Sequence, residues 1–405
     1  MRPSGSSPYS SNSTKETPSS LRICRIAHYL PPMVGGYQFH VQSLTRWLAN
    51  RGHETLLYAL DGEIEEGPNV VVRKLGFSAI TFQPRKYLIC SGYLNLGVLA
   101  RRREISRFRP HLLHAHGDHL EGFCLALLKK ALGVPTIITI HGARSDRALH
   151  RWLGRKAFRL VDRVIVVSKA LQQELLSLGV PERKINVISS GIDAASFRRS
   201  PLEGLTNKSG RIKVQILSVG RLHPVKGYDV LIEALCELRQ MAGDIVTRIV
   251  GDGPEEKRLR QLAEGRNIYL DFVGRLSPPD IRDLLARADL FVMPSVNLGR
   301  QAEGTPTAIL EAMAAGLPIV ASDSGGIRHL VENGVNGVLV PERDPKALAQ
   351  AIISLIENPG RTHAMADANI VKAKKSDWSV VGERVEQLYR EVLRKNEISR
   401  RAPKT

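Results

Sequence analysis

Short β-branched runs recur along this chain, each followed by a glycine-containing turn and then a longer stretch of helical periodicity. Parallel strands need long crossovers, and helices supply them, so this alternation reads as α/β. In the first half, strands are expected at 22–28, 55–59, 112–116, 136–141, 163–168 and 185–188. An amphipathic helix at 37–51 ends at Gly52, which serves as a C-terminal stop. The pattern weakens over 196–211, where Ser, Pro, Gly, Asn and Lys show little periodicity. A second series then places strands at 213–220, 246–251, 268–273, 290–294, 318–321 and 337–340. A last helix from Trp378 to about Arg394 carries Val381, Val385, Leu388 and Val392 on one face and charge on the other.

The domain plan that follows is a disordered tail (1–20), an N-terminal Rossmann-like domain (21–195), a linker (196–210) and a C-terminal Rossmann-like domain (211–377). A closing helix (378–395) and a basic tail (396–405) complete it. The first twenty residues are rich in Ser, Thr and Pro and have no apolar segment for a signal peptide. In open parallel sheets, ligands bind beyond the carboxyl ends of the strands, so two facing sheets place one cleft between the domains.

Charge and cysteine usage narrow the partners. With 58 Lys plus Arg against 40 Asp plus Glu, the net charge is +18, which attracts anionic partners. Neither zinc-finger spacing nor an RNA-recognition aromatic motif accompanies that charge, so nucleic acid is not an expected partner. Cys24, Cys90, Cys124 and Cys236 are far apart and signal neither disulfides nor a zinc site, which fits a reducing cytoplasm. Every apolar run is broken by charge, Gly or Pro well short of the ~18 residues a spanning helix needs.

The segment most suggestive of chemistry runs from 303 to 340, EGTPTAILEAMAAGLPIVASDSGGIRHLVENGVNGVLV. Thr305 suits an N-cap and Pro306 the first helical position, which leaves Glu303 in the preceding loop and Glu311 on the second turn. The free N–H groups of Thr307 and Ala308 then stand at a positive helix end suited to phosphate, and Glu311 can accept from two vicinal hydroxyls. The plainer alternative makes Glu303 a favourable charge near a helix start and Glu311 a solvated residue. In SVGRLHPVKG (218–227), Gly220 permits close backbone approach, while Arg221 and Lys226 suit a diphosphate or are simply surface cations around a βα turn. Gly251 opens GDGPE, a turn that could edge a flat base or serve only as a turn. Gly35 and Gly36 let the first helix approach an acceptor or a diphosphate.

Histidines fall into two groups. His111, His114, His116 and His119 invite a metal reading, but no carboxylate or cysteine spacing completes a site, and no metal is expected. His141 ends an apolar run and would face the cleft as a hydrogen-bond donor, or be satisfied structurally.

Taken together, GRLHPVKG, GDGPE, FVGR (272–275), ADLFVMPS (288–295) and the E-x7-E segment resemble the GT4 family of retaining glycosyltransferases, in order and spacing from about Ile23 to Tyr389. The resemblance implies a GT-B fold, with two Rossmann-like doubly wound parallel-sheet domains facing a central cleft and the closing helix crossing back to the N-terminal domain. It implies transfer of a sugar from a nucleotide-diphosphate sugar to a glycan or lipid-linked acceptor, with the anomeric configuration retained and without a cofactor. The C-terminal domain would hold the donor and the N-terminal domain the acceptor. By the same resemblance Arg221 and Lys226 bind the diphosphate, Glu311 the ribose and Glu303 the donor sugar. The Gly35–Gly36 turn is similar to the family's loop beside the diphosphate, and His141 to its cleft histidine touching the sugar.

Departure of a nucleoside diphosphate builds negative charge on the β-phosphate, which cations and helix N–H donors can meet without metal. No carboxylate beside His141 suggests a double displacement, so a front-face route is expected, with the leaving phosphate taking the acceptor proton. The extra residues at 296–302 and the EGTPTA sequence resemble enzymes of exopolysaccharide and lipopolysaccharide assembly, whereas Arg328-His329 stands where many members carry Pro-Glu. Residues 74–109 mix basic side chains with Phe77, Phe82, Tyr87, Leu88, Tyr93 and Leu94, suited to an anionic membrane surface or to an ordinary solvated face. The expected place of action is the cytoplasm, including the inner face of the membrane. Two rivals are a sugar-nucleotide epimerase of similar build and a noncatalytic protein that binds anionic surfaces.

Overall fold

The structure is a computed structural model that describes residues 18–31, 35–64, 67–76, 84–142, 148–197, 214–239, 245–299 and 303–401. The first sheet is built from β1 (Arg22–Ile26), β2 (Glu54–Ala59), β3 (Val70–Lys74), β4 (Leu112–His116), β5 (Thr136–Ile140), β6 (Arg163–Val166) and β7 (Ile185–Val187). Its spatial order is β3-β2-β1-β4-β5-β6-β7. The second comprises β8 (Val214–Val219), β9 (Ile245–Val250), β10 (Asp271–Gly274), β11 (Leu290–Met293), β12 (Ile319–Ser322) and β13 (Gly337–Val340), in the order β10-β9-β8-β11-β12-β13. Neighbouring strands are parallel in both sheets. The expected pair of doubly wound domains is therefore present. Strand order reverses between β1 and β4 and again between β8 and β11, and these are the points beyond which ligands sit.

Central strands are covered on both faces, and all of β4 and β5 is buried, the polar His114, His116, Thr136 and Thr139 included. Two departures from the expected elements have local causes. Strand β3 was not anticipated because it is an edge with only Val70 buried, so its apolar signal fades into Arg73 and Lys74. β10 begins at Asp271 rather than 268, because the residues before it close the preceding helix: Asn267 has φ 55° and the Ile268 N–H donates to the Ala263 carbonyl.

The last helix, Trp378–Arg401, runs past its expected end into the residues assigned to a basic tail, with 402–405 outside the described residues. Its Trp378, Val381, Val385, Leu388, Tyr389 and Val392 pack with Leu21, Ile23, Leu44, Leu48, Leu112, Ile137 and Ile165 of the first domain. The chain has thus crossed back, and the crossing is pinned where the Ile192 N–H donates to the Ser376 carbonyl and the Ile192 carbonyl accepts from the Trp378 N–H. The expected disordered tail lies outside the described residues up to 17. Pro18 and Ser19 are tied down, their carbonyls accepting from Arg390, and Ser20 donates to the Gly52 carbonyl. Most of the expected linker, 198–210, also lies outside the described residues. Among the described residues no helix is long and apolar enough to cross a membrane.

Candidate active site

Beyond β8 the backbone turns through Gly220 and Arg221 into a short 3-10 turn, Pro224–Lys226. A Cβ on Gly220 would stand 3.3 Å from Lys226 Nζ, so the missing side chain is what lets the ammonium fold back over the strand end. Lys226 Nζ lies 2.5 Å from Glu303 Oε1, and both side chains are largely buried. The Ser295 hydroxyl donates to the same carboxylate oxygen at 3.3 Å. Arg221 is exposed at the mouth of this turn. Gly251 has a packing reason: at φ 140°, its Cβ would fall 2.0 Å from the Gly220 carbonyl oxygen. It lets the β9 turn lie directly on the Gly220–Arg221 backbone.

The helix carrying the second glutamate spans Thr307–Ala314, and Pro306 rather than Thr305 occupies its N-cap position, with no side-chain cap. The expected Thr305 cap is therefore corrected. Its hydroxyl instead donates across the cleft to the Val167 carbonyl at 2.8 Å, so the hydrogen bond joins the two domains. The leading N–H groups of Thr307 and Ala308 are left without a capping side chain, the state in which a helix end can receive an anion. Glu311 stands on the second turn as expected. Burial raises its carboxyl to about 7, only partly offset by Arg282, so it is not the freely solvated residue of the plainer alternative.

The first domain supplies the opposite wall. Gly36 begins the helix Gly36–Asn50, and a Cβ there would lie 3.5 Å from Thr307 Oγ1 and Cγ2. Gly35 precedes it in extended backbone, with φ 173°. His141 follows β5 and is partly exposed; its carbonyl oxygen lies 3.7 Å from where a Gly304 Cβ would be. The glycine turn, His141, the Thr307 helix start and the Glu303 loop thus meet along one cleft.

Behind His141 lies a buried polar cluster that the sequence did not announce. Arg25, in the middle of β1, is fully buried; it donates to His116 Nε2 at 2.6 Å, to the Val41 carbonyl at 3.3 Å and to the Thr45 hydroxyl. His116 Nδ1 is 3.1 Å from His141 Nε2. The His40 ring stands 4.6 Å from His141 and 5.2 Å from Trp378. The four histidines grouped by sequence disperse. His111 accepts from the Arg22 N–H, and His114 bonds Tyr389 and Thr139. His119 sits at the start of the next helix, and His116 joins Arg25 and His141. Ring nitrogens of His40, His116 and His141 lie within 4.8 Å of one another. Arg25 aims a permanent donor at His116, an arrangement that does not suit a cation held by all three.

A further element missed from sequence is Gly325–Gly326 after β12. Gly325 has φ 49°, and a Cβ on Gly326 would fall 1.7 Å from the Gly304 carbonyl oxygen, while its N–H donates to the Glu303 carbonyl at 2.9 Å. These glycines shape the loop that presents Glu303; the Ser-Gly-Gly run shortly after an expected strand was the available signal. Arg328 pairs with Asp323 at 3.2 Å. Of the membrane-surface residues, Phe77 and Phe82 lie outside the described residues, whereas Leu94 is buried.

With this geometry in place, comparisons with known proteins agree along the chain. The family model "Glycosyltransferase Family 4" matches residues 34–196 and "Glycosyl transferases group 1" matches 207–372. A glycogen synthase of Mycobacterium tuberculosis is 29% identical across 91% of this chain and 94% of its own. An amylovoran biosynthesis glycosyltransferase of Erwinia amylovora is 34% identical across 56% of each. Among solved structures, Anabaena HepE in complex with UDP superposes with a TM-score of 0.70 at 22% identity, over 90% of this chain and 98% of that one. Matched by this pair of family models in its two successive domains, the chain belongs to the group 1, family 4 type of glycosyltransferases, with the GT-B fold.

Proposed function

We propose that this enzyme moves a sugar from a nucleoside diphosphate sugar to a hydroxyl of a glycan or lipid-linked acceptor, with retention at the anomeric carbon. The observation that carries the reading is the convergence of Lys226, Glu303 and the uncapped Thr307 helix start on one cleft, opposite Gly36 and His141. Lys226, Arg221 and the N–H groups of Thr307 and Ala308 take up charge as the diphosphate leaves; Glu311 accepts from the ribose hydroxyls. These groups meet the leaving charge without a divalent cation. Glu303 Oε1 is engaged by Lys226 and Ser295, which favours a role in orienting the donor over one as nucleophile. The leaving phosphate then accepts the acceptor proton on the same face.

Similarity to an amylovoran biosynthesis enzyme over half the chain supports a polysaccharide precursor as acceptor. The helix Pro84–Ala100 exposes Leu88, Ile89, Tyr93 and Leu96, with exposed basic residues at 101–103 beyond it, a surface suited to the anionic membrane on which a lipid-linked acceptor sits. Sedimentation with anionic but not neutral vesicles tests that part. The reaction itself is tested by incubating the protein with uridine, guanosine and adenosine diphosphate sugars and candidate acceptors. Release of nucleoside diphosphate with a new glycosidic bond of the donor's anomeric configuration supports the proposal; conversion of the sugar without transfer indicates an epimerase.

A further inference from the structure

The buried chain Arg25–His116–His141 fixes where protons sit. Guanidinium nitrogens only donate, so Arg25 at 2.6 Å requires His116 Nε2 to be an unprotonated acceptor. A neutral imidazole with a bare Nε2 carries its proton on Nδ1, and that Nδ1–H points along the 3.1 Å contact to His141 Nε2. His141 Nε2 therefore accepts, and its own proton is left on Nδ1. Arg25 is itself held by the Val41 carbonyl and the Thr45 hydroxyl, so the start of the relay is anchored on the first helix.

We propose that Arg25 and His116 are positioning residues that lock His141 as the Nδ1–H tautomer, so that the cleft histidine offers the donor sugar a hydrogen-bond donor and never an acceptor. The sugar contact rests on the function proposed above; the tautomer rests on the geometry alone. Burial and the charge of Arg25 push His141 down to about 3, which keeps its ring neutral through the working pH range. The same environment holds His116 and His40 well below the ordinary histidine range, so neither delivers a second proton to the relay. Tyr37 faces His141 edge-on at 5.0 Å.

Long-range proton–nitrogen correlation spectra of the full chain, labelled with nitrogen-15 histidine and free of substrate, read the tautomers directly. The expected spectrum shows His141 and His116 both protonated at Nδ1; an Nε2–H signal for His141 overturns the proposal. His116→Leu should leave His141 mixed between tautomers and lower kcat about tenfold with donor affinity little changed. His116→Asn, whose side-chain amide can replace the Nδ1–H, should restore the single tautomer and most of the rate. Equal behaviour of the two variants in both readouts also overturns it. The wild-type spectrum needs no variant to fold. If His141 shows the expected tautomer but His141→Ala leaves the donor KM and kcat unchanged, the sugar contact fails while the tautomer stands.

Discussion

Lys226 Nζ sits 2.5 Å from Glu303 Oε1, joining the turn after β8 to the loop after β11 across the point where strand order reverses. Each group compensates the other's buried charge, and a bound diphosphate would compete with the carboxylate for the ammonium. Lys226→Ala is expected to lower kcat at least ~100-fold, the scale for loss of one preorganised charge contact. Glu303→Gln should also lower kcat, while tightening the binding of free nucleoside diphosphate because Lys226 is released. Steady-state kinetics and calorimetric titration check both.

Glu311 gives a pH signature. Its carboxyl is raised to about 7, so the enzyme keeps it protonated below that pH, whereas ribose hydroxyls donate to the ionised form. Binding therefore expels a proton, and donor affinity should rise with pH up to about 7, by at most about tenfold per unit, then level off. The sign for stability is opposite. A raised carboxyl stabilises the fold at low pH, and that contribution is lost as pH climbs through about 7. Glu311→Gln should abolish both trends, measured by titration of an intact nucleotide sugar and by thermal unfolding across pH 5 to 8.

Gly326→Ala puts a methyl group where the Gly304 carbonyl already is, so the Glu303 loop must move. A displacement of about 1 Å at a reacting centre costs on the order of 100-fold in rate. The variant is expected to keep its circular dichroism spectrum and lose activity on that scale.

Thr305→Val removes the hydroxyl that reaches the Val167 carbonyl between the domains. Loss of one such bond, worth about 1 kcal/mol, should favour the open cleft and raise the donor KM about fivefold. The change in kcat should be small, because the Thr305 hydroxyl is committed to the Val167 carbonyl.

Much of the scaffold could be read from sequence because each unit is local: the runs at 112–116 and 337–340 coincide with β4 and β13. The glycines were legible as points of close approach, but not what approaches them, since Gly251 meets Gly220 and Gly326 meets Gly304 from different strands. Glu303 and Lys226 were each visible as candidates, but their pairing depends on two loops brought side by side by the strand order. Thr305 followed the usual capping preference in sequence, and tertiary structure redirected its hydroxyl to Val167. Arg25 was hidden for the opposite reason: a charged residue within RICRI suggests an exposed strand position, and only the fold shows it buried among partners from β4 and the first helix.

The central claim, that cations and helix N–H groups of the second domain grip a nucleoside diphosphate, is tested most directly by thermal unfolding with uridine, guanosine and adenosine diphosphate sugars. Wild type and the Arg221→Ala/Lys226→Ala double variant are compared. At 100 times its dissociation constant the cognate donor should add about 2.7 kcal/mol of stability to wild type and far less to the variant. Equal protection of both proteins, or protection of neither by any of these nucleotide sugars, would contradict it.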